Sequence, residues 1–231
     1  MADQTRDEMV MSYTRVRLAL GLLGMFLPVV LLIGGLTQEP GLEPTISDFY
    51  HTLYRDIYVG TLCAIGVFLI SYLGYRREPG EIVDDDWLAT IAGIGAFGMA
   101  LFPTPSRSGE VETVTQAMVG LETTPVIHYV FAFMFFTALS AFSFVKFART
   151  AHPARRRLFI ATGWFMLGAM VLTAIAAIVK NFVGGPAAQF VVDHKLIFWF
   201  EALGIWAFGL AWIVKSRADL ERAQGPASAR V

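Results

Sequence analysis

Charge is the first thing this sequence lacks. Only 16% of its 231 residues are Asp, Glu, Lys or Arg, against roughly 25% in ordinary soluble domains, while 55% are hydrophobic. That balance excludes a soluble globular domain, and the apolar content excludes a disordered chain. A net charge of −1 leaves no basic excess for nucleic acid, so none is expected as a partner. Cysteine is nearly absent. Cys63 alone permits neither an intrachain disulfide nor a cysteine-rich metal centre. Alternating apolar and polar runs are missing as well, which excludes a transmembrane barrel.

What the chain has instead is continuous apolar runs, at about 18–36, 57–75, 87–102, 126–145, 158–179 and 196–214. A helix needs about 20 mostly apolar residues to cross the hydrocarbon core. The expected fold is therefore an all-α integral membrane protein, a six-transmembrane-helix bundle. It forms one domain over 1–222, with a disordered Ala-, Gly- and Ser-rich tail over 223–231. The first run is too long for a signal peptide, and Thr37-Gln38-Glu39-Pro40 is no cleavage site. It reads as an anchored span bent at Pro28.

Six spans put both termini on one side. Of the 18 basic residues only Arg55, Arg107, Lys180 and Lys195 then fall on the opposite side. The remainder lie with the termini, so the positive-inside rule makes both termini cytoplasmic, in a cell (inner) membrane. The third run, with Gly93, Gly95 and Gly98, is expected to pack centrally, because small residues let helices approach closely in lipid. Gly163, Gly168, Gly204 and Gly209 are read the same way. Asp84-Asp85-Asp86 reads as a helix N-terminus, where acids meet the positive end of the dipole.

Chemistry is expected at the outer face. His51, His128 and His194 stand at the outer ends of the second, fourth and sixth runs, among Ser47, Asp48, Arg55, Asp56, Lys180, Asp193 and Glu201. A helix from Thr45 to Gly60 would set Ser47, His51 and Arg55 in register, with Asp48 on the same face. It would also make Tyr50, Tyr54 and Tyr58 a stripe facing the headgroups. Glu201 lies inside an apolar span, where a carboxylate is a functional-site candidate by default, seven residues from His194 on one helix face. His51, His128 and His194 are the candidate metal ligands, and zinc suits such a donor set. Asp56 and Glu201 are the candidate catalytic acids, and Ser47, Asp48, Arg55, Lys180 and Asp193 the candidate ligand-binding residues.

Ser47-Asp48-Phe49-Tyr50-His51 has a Ser-x-x-x-His spacing that resembles the motif of the alkaline ceramidase and adiponectin-receptor superfamily of membrane hydrolases. That resemblance implies zinc-dependent hydrolysis of a lipid amide or ester. It departs from the family in the early Asp56, in Phe198 where a second histidine would follow His194, and in having six spans rather than seven. A broader likeness covers most of the chain. Ile46–Tyr50, Arg55-Asp56-Ile57-Tyr58-Val59-Gly60 and Phe198-Trp199-Phe200-Glu201 with Trp206-Ala207-Phe208-Gly209 are similar to an uncharacterised family of bacterial six-span membrane proteins, which implies no activity.

Four readings follow. The first is an outward polar pocket that binds a small ligand, lipid headgroup or divalent metal, with metal-dependent lipid hydrolysis as its catalytic form. This reading favours ligand holding over turnover. The second is a transporter or proton-coupled carrier using Glu201, Lys180 and Arg55. The third is a b-type haem protein with His128 and His194 as axial ligands. The fourth is a non-catalytic sensor or accessory subunit. Membrane lipids are the expected partners, with a second copy or another membrane protein as further candidates.

Overall fold

The computed structural model describes residues 2–37, 41–74, 84–105 and 109–223, with side chains from Tyr13 to Glu221. The described parts of the apolar runs are mostly helical, although the second run leaves helix after Ile70 and the third at Phe102. The order is α1 (Ala2–Thr37), a 3-10 turn (Ser47–His51), α2 (Arg55–Ile70), α3 (Asp85–Leu101), α4 (Val114–Val119) and α5 (Thr123–Ala141). A π turn (Phe142–Phe147) and α6 (Ala148–Thr150) prolong α5. There follow α7 (Pro153–Ile178), a second π turn (Val179–Val183), α8 (Gly185–Asp193) and α9 (Leu196–Ala223). The expected tail falls outside the described residues, as do Arg76, Arg77 and Arg107, while Ala223 itself ends α9.

Four stretches are long and apolar enough to cross a membrane: Tyr13–Thr37, Thr123–Thr150, Pro153–Val183 and Leu196–Glu221. They make this a multi-pass membrane fold. The expected count of six is corrected by the lengths of α2 and α3. With 16 and 17 residues and a rise of 1.5 Å per residue, they reach roughly 24–26 Å, short of a hydrocarbon core about 30 Å thick. Both stops have a local cause. After Ile70 the ladder tightens into a turn, the Tyr72 amide bonding to the Leu69 carbonyl at 3.0 Å, and α3 ends where Pro103 removes a backbone donor.

The long helices and the α2–α3 pair close into a ring in chain order. α1 packs on α2, α2 on α3, α3 on α5, α5 on α7, α7 on α9, and α9 back on α1. Their directions alternate, as the contacts at each end require. The end of α3, the start of α5 and the start of α9 meet at one end through Phe102, His128 and Phe198. The starts of α1, α3 and α7 meet the ends of α2, α5 and α9 at the other, through Arg17, Tyr72, Asp85, Lys146, Arg155 and Glu221. Leu20, Leu27, Leu31, Phe135, Phe208 and Trp212 fill the interior.

Glycine sets the closest approach. A Cβ on Gly21 would lie 2.9 Å from the Gly209 carbonyl, and one on Gly209 would lie 2.8 Å from the Gly21 carbonyl. The backbones of α1 and α9 therefore touch. The small-residue reading of α3 agrees, since Gly98 is covered by the Phe131 ring. Gly168 is the exception, because nothing lies within 4 Å of its added Cβ.

The helix expected from Thr45 to Gly60 is broken. Thr52 is extended (φ −125°, ψ 178°) and separates the 3-10 turn from α2, and its hydroxyl donates to the Phe49 carbonyl at 2.8 Å. The predicted register of Ser47, His51 and Arg55 is thereby lost. The tyrosine stripe also turns inward: Tyr50 and Tyr58 are buried, ring against ring.

At the Arg17 end the bundle is closed by buried charge. Arg17 pairs with Asp219 and donates through Nε to the Tyr72 hydroxyl at 2.9 Å. Lys215 reaches Asp219 at 3.2 Å, and Lys146 reaches Asp85 at 3.1 Å. Asp85 is thus an ion-pair partner across helices rather than only an N-terminal acid, and the π turn carries Lys146 to it.

Candidate functional site

The opposite end is covered by the segment between α1 and α2. Residues Glu43 to Ser47, Phe49 and Tyr50 are all buried, although the segment connects two helices on what the sequence reads as an exposed face. Buried backbone needs partners, and α9 supplies two. The Phe198 amide donates to the Pro44 carbonyl at 3.0 Å. The Ile46 amide donates to Glu201 Oε2 at 2.7 Å.

This anchoring places Ser47 against α5. Ser47 Oγ lies 3.0 Å from His128 Nε2, and His128 Nδ1 lies 2.7 Å from the Phe102 carbonyl. A carbonyl only accepts, so Nδ1 carries the proton. In the neutral ring Nε2 is then a lone pair, and Ser47 donates to it. The result is a hydroxyl–imidazole–acceptor chain with both side chains buried, the arrangement that activates a serine in acyl transfer. Here a backbone carbonyl takes the orienting role that a carboxylate has in a triad. The Tyr58 hydroxyl lies within reach of Ser47, while Asp48 and Lys180 are within electrostatic range of Glu201.

A second layer ties the segment to the loop after α3. Thr104 Oγ1 donates to Asp48 Oδ1 at 3.2 Å, and the Asp48 amide donates to Thr45 Oγ1 at 2.9 Å. Both ring nitrogens of His51 face oxygens, Nε2 the Thr104 carbonyl and Nδ1 Glu112 Oε2, each at 2.8 Å.

The structure thus brings together Ser47, Asp48, His128 and Glu201, with Lys180 nearby and His51 one layer out. The other expected site residues stand apart. Arg55 is held over the Tyr50 ring and donates to its hydroxyl at 2.8 Å. Asp56 is exposed on the first turn of α2, which does not fit a catalytic acid. Asp193 is exposed and accepts from Gln189 on its own helix. His194 is exposed, stacked on Phe190 and bonded through Nδ1 to that residue's carbonyl.

These positions correct the metal reading. The three histidines do not converge, because His128 and His51 have both nitrogens engaged and His194 turns to its own helix. Among the described residues no three of His, Cys, Asp and Glu are grouped to hold an ion. Zinc at His51, His128 and His194 does not fit this donor arrangement. Axial haem ligation by His128 and His194 fails for the same reason, since one ring is bound inside the bundle and the other lies against Phe190.

Phe102, Thr104, Glu112 and Tyr58 escaped the sequence reading of the site. Two of them act through backbone carbonyls, which carry no residue signature. Comparison with known proteins finds no matching family model, no matching curated protein and no matching solved structure.

Proposed function

We propose that this is a multi-pass membrane protein whose outer end carries a serine–histidine dyad, Ser47 and His128, that cleaves an ester or amide of a membrane lipid. The observation behind it is the Ser47–His128–Phe102 chain, with the imidazole held in the one tautomer able to take a proton from serine. The Ser-x-x-x-His resemblance points to the same class of bond, though Ser47 here meets His128 rather than His51. In this reading the four long helices cross the membrane, with α2 and α3 a shorter pair packed among them, and the excess of basic residues favours cytoplasmic termini.

In the proposed reaction Ser47 Oγ bonds to the carbonyl carbon while its proton passes to His128 Nε2. Collapse breaks the bond to the leaving alcohol or amine, which takes the proton from His128. Water then repeats the sequence, its proton going to Nε2 and back to Ser47 as the acid departs. Because Ser47 and His128 are 8% and 2% exposed, substrate reaches them when the covering segment lifts. Glu201 is a positioning residue, holding the Ile46 amide beside Ser47.

The test is acyl release by the reconstituted protein from fluorogenic short-chain esters and N-acyl-sphingosine. Release should vanish in Ser47→Ala and fall about 10²–10⁴-fold in His128→Gln. Undiminished release in Ser47→Ala, or no release from any substrate of either class, overturns the proposal.

A further inference from the structure

The helix α4 is built the wrong way round for water. Its polar side faces the protein. Gln116 is 2% exposed and accepts from the Glu112 amide at 2.8 Å, while Thr115 Oγ1 donates to the Leu101 carbonyl at 2.6 Å. Its apolar side faces out, with Val114 75% and Met118 77% exposed, and Val111 just before it is exposed too. An amphipathic helix in water does the reverse. Inversion of this kind marks a surface covered by something apolar.

Two observations say what covers it. The bond from Thr115 to Leu101 fixes α4 at the level where α3 ends, which the His128–Phe102 bond holds beside the beginning of α5. α4 also packs on the start of α5, a membrane-span candidate whose Val126, Val130 and Phe133 are exposed as lipid-facing residues are. The apolar face of α4 therefore continues a lipid-facing helix. At the same end α8, which follows the Val179–Val183 turn, exposes Phe190, as that turn exposes Phe182 and Val183.

We infer that α4 is an interfacial helix seated in the outer leaflet, with Val114 and Met118 in the acyl boundary. Such a helix lies in the membrane plane with its apolar face buried about 5–10 Å into the headgroup boundary. The inference requires the membrane reading of the fold but not the Ser47–His128 chemistry. Its consequence for the site is mechanical. Glu112, immediately before α4, holds His51, so the loop that pins the covering segment is itself anchored in lipid.

The test places an environment-sensitive NBD label at Met118→Cys, and separately at Val114→Cys, in a Cys63→Ser background reconstituted into phosphatidylcholine vesicles. Glu122→Cys, exposed and polar, is the aqueous reference. Both α4 labels should emit to the blue of the reference and lose most of their emission to shallow doxyl-phosphatidylcholine. Water-like emission at both, insensitive to the doxyl lipid, overturns the inference. So does blue emission that resists the doxyl lipid while the same cysteines cross-link between copies, because a second copy then covers the face.

Discussion

Glu201 accepts the Ile46 amide proton at 2.7 Å, joining two residues 155 positions apart. An acid inside an apolar helix thus completes the hydrogen bonding of the segment that covers its own end of the bundle. Removing the acceptor leaves a buried donor, a loss of about 1–3 kcal/mol. Glu201→Ala should lower thermal stability accordingly, while Glu201→Gln, which keeps an oxygen acceptor, should lose less. Unfolding in detergent, monitored by intrinsic fluorescence, checks the order of the three proteins.

That relationship also shows where sequence reading stops. Glu201 stood out because carboxylates are costly in lipid, and the helices stood out as apolar runs. The break at Thr52 did not, because the pattern of Ser47, His51 and Arg55 is continuous while the chain there turns on hydroxyl bonds. The pairing of Ser47 with His128 spans 81 positions and becomes visible only once α5 packs beside the covering segment. Arg17 counted in the sequence only among the basic residues on the terminal side, for a related reason. Only ring closure by α9 against α1 brings it to Asp219 and out of solvent.

At the opposite end Asp219 is shared by Arg17 and Lys215, so removing it takes the carboxylate from two buried cations, a loss of about 3–5 kcal/mol. Asp219→Leu should destabilise by that order and Arg17→Met by less, because Lys215 still pairs with Asp219. The double substitution Arg17→Met with Asp219→Leu should lose less than the two single losses combined. Thermal unfolding of the four proteins measures the coupling.

Glycine positions give a matched pair. Gly21→Ala pushes a methyl to 2.6 Å from Ile213 Cγ1 and 2.9 Å from the Gly209 carbonyl, so α1 and α9 must separate, at about 1–3 kcal/mol. Gly168→Ala meets open space and should be neutral or stabilising by up to about 1 kcal/mol. The sign difference between the two, in one unfolding assay, is the expected outcome.

The proposed topology, with both termini in the cytoplasm, predicts sidedness. In a Cys63→Ser background, Asp86→Cys at the start of α3 and Arg156→Cys at the start of α7, both exposed, should react with an impermeant maleimide only after permeabilisation. Glu122→Cys should react in intact cells. Labelling of Asp86→Cys from outside would place the α2–α3 connection on the wrong face.

The dyad itself is tested most directly by covalent capture. Membranes containing the protein are treated with a fluorophosphonate, and the adduct is mapped by mass spectrometry of the peptide that carries Ser47. An adduct on Ser47 Oγ, absent in Ser47→Ala and strongly reduced in His128→Gln although both variants remain folded, is the predicted result. A folded protein that never acquires an adduct on Ser47, or that labels equally well without His128, would contradict it and leave the Ser47–His128 bond a latch for the covering segment.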